Sequence, residues 1–434
     1  SWPQRSGLFP LLWSYRCVVQ KVSRNTVLPA LLILATAAGS AAAGLLPDRR
    51  RPQFLNEPGY VVAPYAYNLP GIGLGYGVLA AATNVGRSYT DLAATAFAGD
   101  ADGQALSADS IHLIDLTLIL DLGGARLSRT SIQSYAHRGM SSSKDDYSLA
   151  EFGDSYFGGS RLTATFLDRR VEGYLGYYGG TARLDSLRDR SGAVIALARR
   201  STRFNFTVGI IGARLDATDD YIDPRRGLRL EPSVWRAPPQ GSGPDFYFID
   251  LNATAYLPVS KRSTWAFNYF LSDTHVMNRG QTDTAELGRD CAAIADPAAS
   301  TECRRYLDSI AAQNAHGTAT SLGGFRRLRS YPENRYKGAH AEFLGTELRW
   351  NLTDEVRPFN IYIMKDIRTA IQVAFFYEAG SVADTYGDVW DIVRQSYGAG
   401  VRMVTASGLV YRLDFATGDE GFQPSVFFQY PWEL

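Results

Sequence analysis

Apolar and polar side chains alternate along most of this chain with a repeat of two residues. The clearest stretch is 345–352, in which Leu348 and Trp350 fall on one face and Glu347 and Arg349 fall on the other. The alternation recurs in 203–210, 249–257, 371–378 and 409–415. A repeat of two is typical of β-strands, and a face that suits lipid opposite a face that suits water is typical of a membrane β-barrel.

The alternation predicts about sixteen strands of about ten residues each, an even number that brings both chain ends to one rim. The predicted strands are 60–68, 71–82, 88–98, 110–121, 125–137, 158–168, 171–184, 200–214, 226–236, 246–258, 262–272, 338–351, 365–379, 395–406, 408–417 and 421–432. We therefore predict an all-β fold, a transmembrane antiparallel β-barrel of about 16 strands. A soluble sandwich is the alternative, since it also alternates, but it rarely contains so many strands in one unit.

The connections between these strands are expected to alternate between short periplasmic turns and long external loops. The short turns are 122–124, 168–170 and 406–407, and the long loops are 138–157, 185–199 and 273–337. Both chain ends then lie at the rim of the short turns, which faces the periplasm.

The composition favours strands over helices. Aromatic residues make up 12 % of the chain, with 25 Tyr and 41 Gly but only 4 Met. The mean hydropathy of −0.16 argues against a helical membrane protein, but it does not argue against a barrel, in which only alternate residues meet lipid. Lys+Arg and Asp+Glu both number 44, so the net charge is zero and no nucleic-acid partner is predicted.

An apolar run at 27–38 follows Lys21 and Arg24 and precedes the small residues Ala41 and Ala43. A basic start, a short apolar run and small residues at a cleavage point are typical of a secretory signal peptide. The run is shorter than the roughly 20 residues that a membrane-spanning helix needs. Export is therefore predicted.

These features divide the chain into three parts. Residues 1–43 are interpreted as upstream residues and a signal peptide, 44–58 as a short periplasmic lead-in, and 59–434 as the barrel. An exported barrel is expected in the outer membrane of a Gram-negative cell, with outer-membrane lipid around it and the barrel assembly machinery as its partner during insertion.

Cys291 and Cys303 lie in a polar stretch of the longest predicted loop. An exported protein reaches an oxidising compartment, where such a pair is expected to form a disulfide. Two unlinked thiols are the alternative. A metal site is not expected, because no nearby histidine supplies further ligands at useful spacing.

The last predicted strand carries Phe428, Tyr430 and Trp432 on one face. Aromatic residues at a strand end fit the interfacial girdle of a membrane barrel. They also resemble the C-terminal signal by which barrels are handed to their assembly machinery, although Glu433 and Leu434 follow the aromatic residue here.

Several short motifs follow one another in order through the second half of the chain. They are 214–227, 253–258, 322–331, 375–382 and 397–402, and 70–77 adds one motif in the first half. Together they resemble the bacterial surface-antigen family of outer-membrane barrels related to BamA and TamA. The residues between 44 and 72 are too few for a POTRA domain, so the resemblance is to a relative without POTRA domains.

The resemblance gives a role to the segment Leu328-Arg329-Ser330-Tyr331. In the family this loop motif folds into the lumen, and its arginine meets acidic residues that correspond to Glu347 and Glu378. The family has a glycine where this chain has Ser330. Alternation supports the pairing independently, because the parity that turns Leu348 toward lipid turns Glu347 inward. The alternative is that Arg329 lies in solvent outside the membrane.

Two other motifs have structural interpretations that compete with ligand binding. The glycines at 71, 73, 75 and 77 share one strand face, which favours close packing in the wall over phosphate binding. Asp216, Asp219, Asp220 and Asp223 suit a calcium site, but a solvated turn is the preferred interpretation.

No enzyme is predicted from this sequence. The histidines are scattered and no catalytic motif occurs, which leaves His340 near Glu342 as the only weak candidate. No cofactor is expected. The predicted function is a pore or an accessory in outer-membrane biogenesis, working with a separate periplasmic protein in one version of this hypothesis. The alternative is a non-conducting structural or surface-recognition barrel with 273–337 as its contact element.

Overall fold

A computed structural model gives the fold. It describes residues 46–54, 58–236, 239, 243–292, 294–353, 359–361, 364–367, 369–405 and 410–432. The signal peptide proposed at 1–43 and the turn proposed at 406–407 lie outside these residues.

Sixteen strands form a closed antiparallel barrel in which strands that follow one another in the chain are neighbours. They are β1 (Gly59–Leu69), β2 (Gly73–Thr83), β3 (Asp91–Gly99), β4 (Ala101–Ile114), β5 (Leu118–Tyr135), β6 (Tyr147–Phe166), β7 (Val171–Arg188), β8 (Val194–Thr218), β9 (Gly227–Arg236), β10 (Asp245–Ser260), β11 (Ser263–Asn278), β12 (His340–Asn351), β15 (Thr369–Ala383), β16 (Arg394–Thr405), β17 (Val410–Gly418) and β18 (Gly421–Phe428). A separate hairpin, β13 (Phe359–Ile361) and β14 (Met364–Ile367), lies in the connection between β12 and β15. The predicted fold class is confirmed.

The wall turns apolar side chains outward and charged ones inward, as the alternation predicts. On β12, Leu348 is 37 % exposed and Trp350 53 %, whereas Glu347 is 0 % and Arg349 2 % exposed. This is the reverse of a soluble protein, in which apolar side chains fill the core. The wall therefore presents charged side chains to the interior of the barrel.

One predicted strand and one predicted turn are wrong. The segment 110–121 contains the turn between β4, which ends at Ile114, and β5, which begins at Leu118. The proposed turn at 122–124 lies inside β5, where Gly123 and Gly124 pair with two glycines of β6. Glycine signals a turn in most sequences, but here both glycines lie within the ladder of two adjacent strands.

Strands β5 to β8 are the longest in the wall, with 18, 20, 18 and 25 residues. A strand needs only about 9–11 residues to cross a bilayer, so these four project well beyond that height. Their length also shortens the loops proposed at 138–157 and 185–199, because β6 begins at Tyr147 and β8 at Val194.

The two rims of the barrel differ. The terminal rim carries both chain ends and the turns 115–117, 167–170 and 219–226, and the loop rim carries the connection from β11 to β12. That connection contains four helices: α1 (Thr284–Leu287), α2 (Arg289–Ala292), α3 (Pro297–Arg305) and α4 (Leu307–His316). None of the helices in the described part of the chain is long and apolar enough to cross a membrane.

The helical insertion reaches across the loop rim. It is cross-linked by a disulfide between Cys291 and Cys303, whose Cα atoms are 5.5 Å apart. The Tyr306 hydroxyl donates to the Ser134 carbonyl of β5 at 3.2 Å, and Arg305 pairs with Asp146 beside β6. The insertion therefore joins β11 to the wall around β5 and β6.

After α4 the chain turns down into the lumen. Leu322, Leu328, Tyr331 and Tyr336 of this segment are fully buried and pack in one cluster with wall residues such as Phe343. The segment 317–339, called here the lumenal loop, therefore fills the barrel with a packed apolar core of its own.

Loss of the disulfide is expected to affect the insertion and leave the barrel intact. In Cys291→Ser/Cys303→Ser, the chain-entropy effect of a short cross-link, about 3 kcal/mol, is confined to a loop outside the wall. Limited proteolysis should cut within 283–316 faster, while the temperature at which the unboiled band converts on a denaturing gel should not change. A lower conversion temperature in the variant would show that the disulfide also stabilises the barrel, which would contradict this prediction.

Candidate functional site

Arg329 lies at the centre of the lumen, fully buried. Leu328 adopts a left-handed conformation, with φ of 54°, and the Tyr331 N–H closes the turn on the Leu328 carbonyl at 3.0 Å. The turn presents both a backbone and a side-chain donor to β15. The Arg329 N–H donates to Glu378 Oε2 at 2.9 Å, and Arg329 Nε donates to Glu378 Oε1 at 2.9 Å.

The same guanidinium reaches two further carboxylates. Nη1 of Arg329 lies 3.2 Å from Glu347 Oε2 and 2.9 Å from Asp414 Oδ2. The guanidinium also lies 3.5 Å from the ring centre of Phe376, a cation–π distance. The structure thus brings Arg329 to both acidic residues that the resemblance singled out, and to Asp414 on β17, which sequence reasoning missed. Alternation could have found Asp414, because 409–415 was recognised as an alternating stretch.

Three more arginines of the wall complete what we call the lumen network. Arg349 Nε donates to Glu347 Oε1 at 2.8 Å, Arg412 Nη1 donates to Asp414 Oδ2 at 2.7 Å, and Arg402 pairs closely with Glu347. The network therefore has four guanidinium groups (329, 349, 402 and 412) and three carboxylates (347, 378 and 414), all at most 2 % exposed. Removal of one member of such a buried set leaves its partners uncompensated, which is far costlier than loss of a surface pair.

Ser330 fits the position at which the family has glycine. Its φ is not in the left-handed region, so the backbone freedom of glycine is not needed there. The Ser330 N–H donates to Ser396 Oγ at 3.0 Å, and the Tyr331 hydroxyl donates to the Gln395 carbonyl at 3.1 Å. The motif is therefore held along β16 as well as by its arginine.

The chain reverses into the lumen after β18, which corrects the expected placement of the C-terminal aromatics. The strand ends at Phe428, Gln429 has φ of 80°, and the residues that follow leave the wall. Tyr430 is 3 % exposed and Trp432 1 %, so neither lies on the outer girdle with Phe428. We call residues 429–432 the tail.

Polar partners explain why the tail turns inward. Trp432 Nε1 donates to Glu378 Oε1 at 3.0 Å, and the Trp432 carbonyl accepts from Asn252 Nδ2 at 2.7 Å. A Cβ atom on Gly345 would come within 2.7 Å of the Trp432 ring, so this glycine makes room for the indole. A buried tryptophan needs a partner for its N–H, and the lumen offers one where lipid does not.

The turn 219–226 between β8 and β9, called the acidic turn, is buried rather than solvated. Asp220 is 1 % and Asp223 2 % exposed, because the lead-in residues Arg50 and Arg51 lie over the turn. The expectation of a solvated turn is wrong, since its cover comes from about 170 residues away in the chain. Among the described residues, no group of His, Cys, Asp and Glu is arranged to hold a metal ion.

Arg50 Nε lies 3.0 Å from Asp219 Oδ2, and Arg51 Nη2 donates to Asp220 Oδ1 at 3.0 Å. Burial alone would raise the pKa of Asp223, but the guanidinium groups of Arg225 and Arg50 and the Tyr430 hydroxyl outweigh it and hold that pKa below its ordinary value. Asp223 is therefore ionised, and the three aspartates of the turn are each paired with an arginine.

The barrel closes at a weak seam between β1 and β18. One residue pair, Asn68 with Val426, is in register across it, whereas β1 and β2 pair over eleven residues. The seam also holds two side-chain bonds: Asn68 Nδ2 donates to the Pro424 carbonyl at 2.8 Å, and the Tyr411 hydroxyl donates to the Ala66 carbonyl at 3.0 Å. Pro424 has no N–H to give to a ladder, which is typical of an edge strand.

The other edge of β1 is firmly joined to β2. Added Cβ atoms on Gly75 and Gly77 would come within 2.2 Å and 2.7 Å of the rings of Tyr67 and Tyr65. Gly75 and Gly77 therefore receive tyrosines of the neighbouring strand, as expected for close packing in the wall, whereas Gly71 lies in the turn before β2 with φ of 78°. β1 is therefore held mainly by β2, and its opposite edge, at the seam, is weakly paired.

His340 and Glu342 do not form a catalytic pair in this structure. His340 Nδ1 lies 2.5 Å from Asp273 Oδ1, while Glu342 Oε2 accepts from Trp390 Nε1 at 2.7 Å. Each side chain therefore has a separate partner within the wall.

Comparison with known proteins identifies the family. The model of the Omp85 superfamily domain matches residues 124–426, so the chain belongs to the Omp85 superfamily, and the predicted resemblance to BamA-related barrels is confirmed. No curated protein sequence matches the chain.

Solved structures are similar as well, and three examples follow. BamA from Haemophilus ducreyi lacking POTRA domains 1–3 has 13 % identity and a TM-score of 0.46, over 88 % of this chain and 76 % of that one. CdiB from Escherichia coli has 13 % identity and a TM-score of 0.50, over 87 % and 68 %. CdiB from Acinetobacter baumannii has 10 % identity and a TM-score of 0.46, over 86 % and 60 %. At such identities the likeness to E. coli CdiB concerns the fold alone.

Arg329→Ala is expected to destabilise the barrel strongly. The variant leaves three buried carboxylates short of a partner, a cost of about 3–5 kcal/mol for a buried pair. The unboiled band should convert at a lower temperature, and barrel levels should fall. Arg289→Ala is the matched control, because that arginine is 73 % exposed on the helical insertion.

A double-mutant cycle tests whether Arg329 and Glu378 act together. Glu378→Gln should add little damage on top of Arg329→Ala, since the two residues share one interaction. Strictly additive losses of unfolding free energy would show that the two side chains are independent.

Proposed function

We propose that this chain is an outer-membrane barrel that assists membrane biogenesis by admitting polymer chains, protein or lipid, at its seam. The observation that carries the proposal is the single register pair between β1 and β18, in a wall whose other neighbouring strands share seven or more such pairs. A wall with one weak edge can exchange that edge for an incoming strand or part toward lipid without losing the rest of its ladder.

The outer surface supports an outer-membrane location. Large apolar side chains face outward around the wall, including Leu175 at 60 %, Trp350 at 53 % and Phe375 at 52 % exposure. Exposed apolar surface costs about 25 cal/mol per Å² in water, and a belt of it on a closed barrel is accommodated by lipid. Membership of the Omp85 superfamily agrees with this location.

The filled lumen supports work at the wall rather than conduction through the centre. The lumenal loop is packed into the interior, and Arg329 is held there by Glu347, Glu378 and Asp414. An open pore would require the chain to break this buried set. We assign 328–331 the role of a lumenal clasp that fixes β12, β15, β16 and β17.

A second candidate function rests on the helical insertion. Helices α1 to α4, with their disulfide, form an ordered element at the loop rim, which suits a non-conducting barrel that recognises another molecule at the surface. In both readings the chain moves or binds polymers and does not transform them. Phe428, Tyr430 and Trp432 remain proposed as a signal to the assembly machinery, and a periplasmic partner would meet the lead-in first.

The seam can be tested by closing it. In Asn68→Cys/Val426→Cys, the two positions face each other across the seam, at a separation that suits a disulfide. Proteoliposomes with the reduced variant should insert a urea-unfolded model barrel protein, as judged by the appearance of its folded band. Oxidation should slow this insertion by roughly tenfold, because it adds a covalent bond where one ladder pair existed.

The matched control is Ala80→Cys/Ala94→Cys, a register pair between β2 and β3, where oxidation should have no effect. Equal insertion by the oxidised and reduced seam variants would contradict the proposal. Large, steady single-channel conductance that persists with the seam oxidised would favour a pore.

A further inference from the structure

The two chain segments that flank the seam strands both end on the same part of the wall. The lead-in precedes β1 and the tail follows β18, and both contact the acidic turn between β8 and β9. In the strand order of the barrel, β9 is eight strands from β1 in one direction and seven from β18 in the other. The acidic turn therefore lies opposite the seam, across the terminal rim.

The lead-in reaches the acidic turn by crossing this rim. Arg170 Nη2 donates to the Pro47 carbonyl at 2.6 Å, so the segment is also held at the turn between β6 and β7. Nearer β1, the ring of Phe54 packs 5.2 Å from that of His112 at the end of β4. The described lead-in residues are thus bound at several points, with the arginines between Pro47 and Phe54.

The tail reaches the acidic turn through one hydrogen bond. The Tyr430 hydroxyl donates to Asp223 Oδ1 at 2.8 Å, and the guanidinium of Arg349 lies 4.2 Å from the centre of the Tyr430 ring. The other oxygen of the same carboxylate, Asp223 Oδ2, lies 3.5 Å from Arg50 Nη2 and 3.1 Å from Arg225 Nη2. One carboxylate therefore contacts both segments that flank the seam.

The acidic turn is a fixed point on the wall. Tyr221, at its centre, donates from its hydroxyl to Glu172 Oε2 at 3.1 Å and accepts from Arg169 Nη2 at 2.8 Å. Arg229 Nη2 of β9 donates to the Tyr221 carbonyl at 2.6 Å. A segment that binds here is therefore tied to the wall of β7 and β9 and not to a loose loop.

We propose that the acidic turn is a latch that holds the seam closed through Asp223, with the lead-in and the tail as its two bound arms. The proposal rests on the proposed function of the seam and adds its regulation. The β1–β18 ladder has one register pair, so contacts made by the flanking segments carry much of the closure. Displacement of β18 from β1 pulls on the tail, and displacement of β1 pulls on the lead-in.

Opening of the seam can be measured without any client. Spin labels on the Asn68→Cys/Val426→Cys pair are strongly coupled when the strands are adjacent and uncouple when they separate. Asp223→Asn and Tyr430→Phe should each raise the uncoupled fraction by roughly fivefold, the population change that one net hydrogen bond controls. Tyr430→Phe loses only the hydroxyl and keeps the ring over Arg349.

Lys261→Gln is the matched control, since it also removes one charge and this lysine is exposed in the turn between β10 and β11 on the same rim. It should leave the uncoupled fraction unchanged. Folding of each variant is checked by the shift of the unboiled band, and if Asp223→Asn does not fold, Tyr430→Phe decides alone. Folded variants with the uncoupled fraction of the control would overturn the latch.

The result separates this proposal from the proposed function. If the latch variants open the seam but seam oxidation does not slow insertion of the model barrel protein, the result supports the latch and counts against the proposed function. If seam oxidation slows insertion but neither latch variant changes the spin coupling, the result counts against the latch alone.

Discussion

The pairing of Arg329 with Glu378, Glu347 and Asp414 is the interaction on which the arrangement of the lumen depends. A wall that turns apolar side chains outward has to place its charged ones inside, and strands as long as these carry many. Buried carboxylates and guanidinium groups are tolerated only when each has a partner. The lumenal loop supplies the central cation, and in doing so it brings an apolar cluster into the barrel and closes its centre.

This central pairing also makes the barrel asymmetric. The lumen network joins β12, β15, β16 and β17 through side-chain ion pairs, in addition to the backbone hydrogen bonds between these strands. On the other side of the seam, β1 is joined to β2 by eleven register pairs and by tyrosines seated on glycines. The seam is therefore a weak line between two reinforced parts of one wall.

Sequence could predict features that depend on local period. The alternation predicted the number of strands. The positions of Glu347 and Glu378 within it predicted that both side chains point into the barrel. Asp414 was within reach of the same argument, because Phe415 beside it faces outward at 42 % exposure. The turn was predicted at 122–124 instead of 115–117, because glycines at 123 and 124 are typical of turns. In the fold both glycines lie within paired strands.

The sequence could not predict features that depend on contacts between distant parts of the chain. In isolation the sequence of the acidic turn suggests a solvated turn, and it is covered by Arg50, Arg51 and Tyr430 from distant parts of the chain. The inward turn of the tail is equally non-local, since Trp432 continues the alternation of β18 in sequence but finds its polar partners on β10 and β15. A repeat of two specifies faces within a strand and carries no information on where the strand stops.

A filled lumen and a weak seam have a common physical cause. Each strand pair contributes backbone hydrogen bonds of about 1 kcal/mol net in water, and more where lipid offers no alternative partner. A seam with one register pair, beside neighbours with eleven and eight, is therefore the cheapest place to separate the wall. Separation through the lumen would instead require the release of Arg329 from three buried carboxylates, which leaves Glu378 without its cation. Because the centre is held by buried charge pairs, the seam is the place where strands separate with the least loss of contacts, and the segments that flank β1 and β18 are where such separation can be restrained.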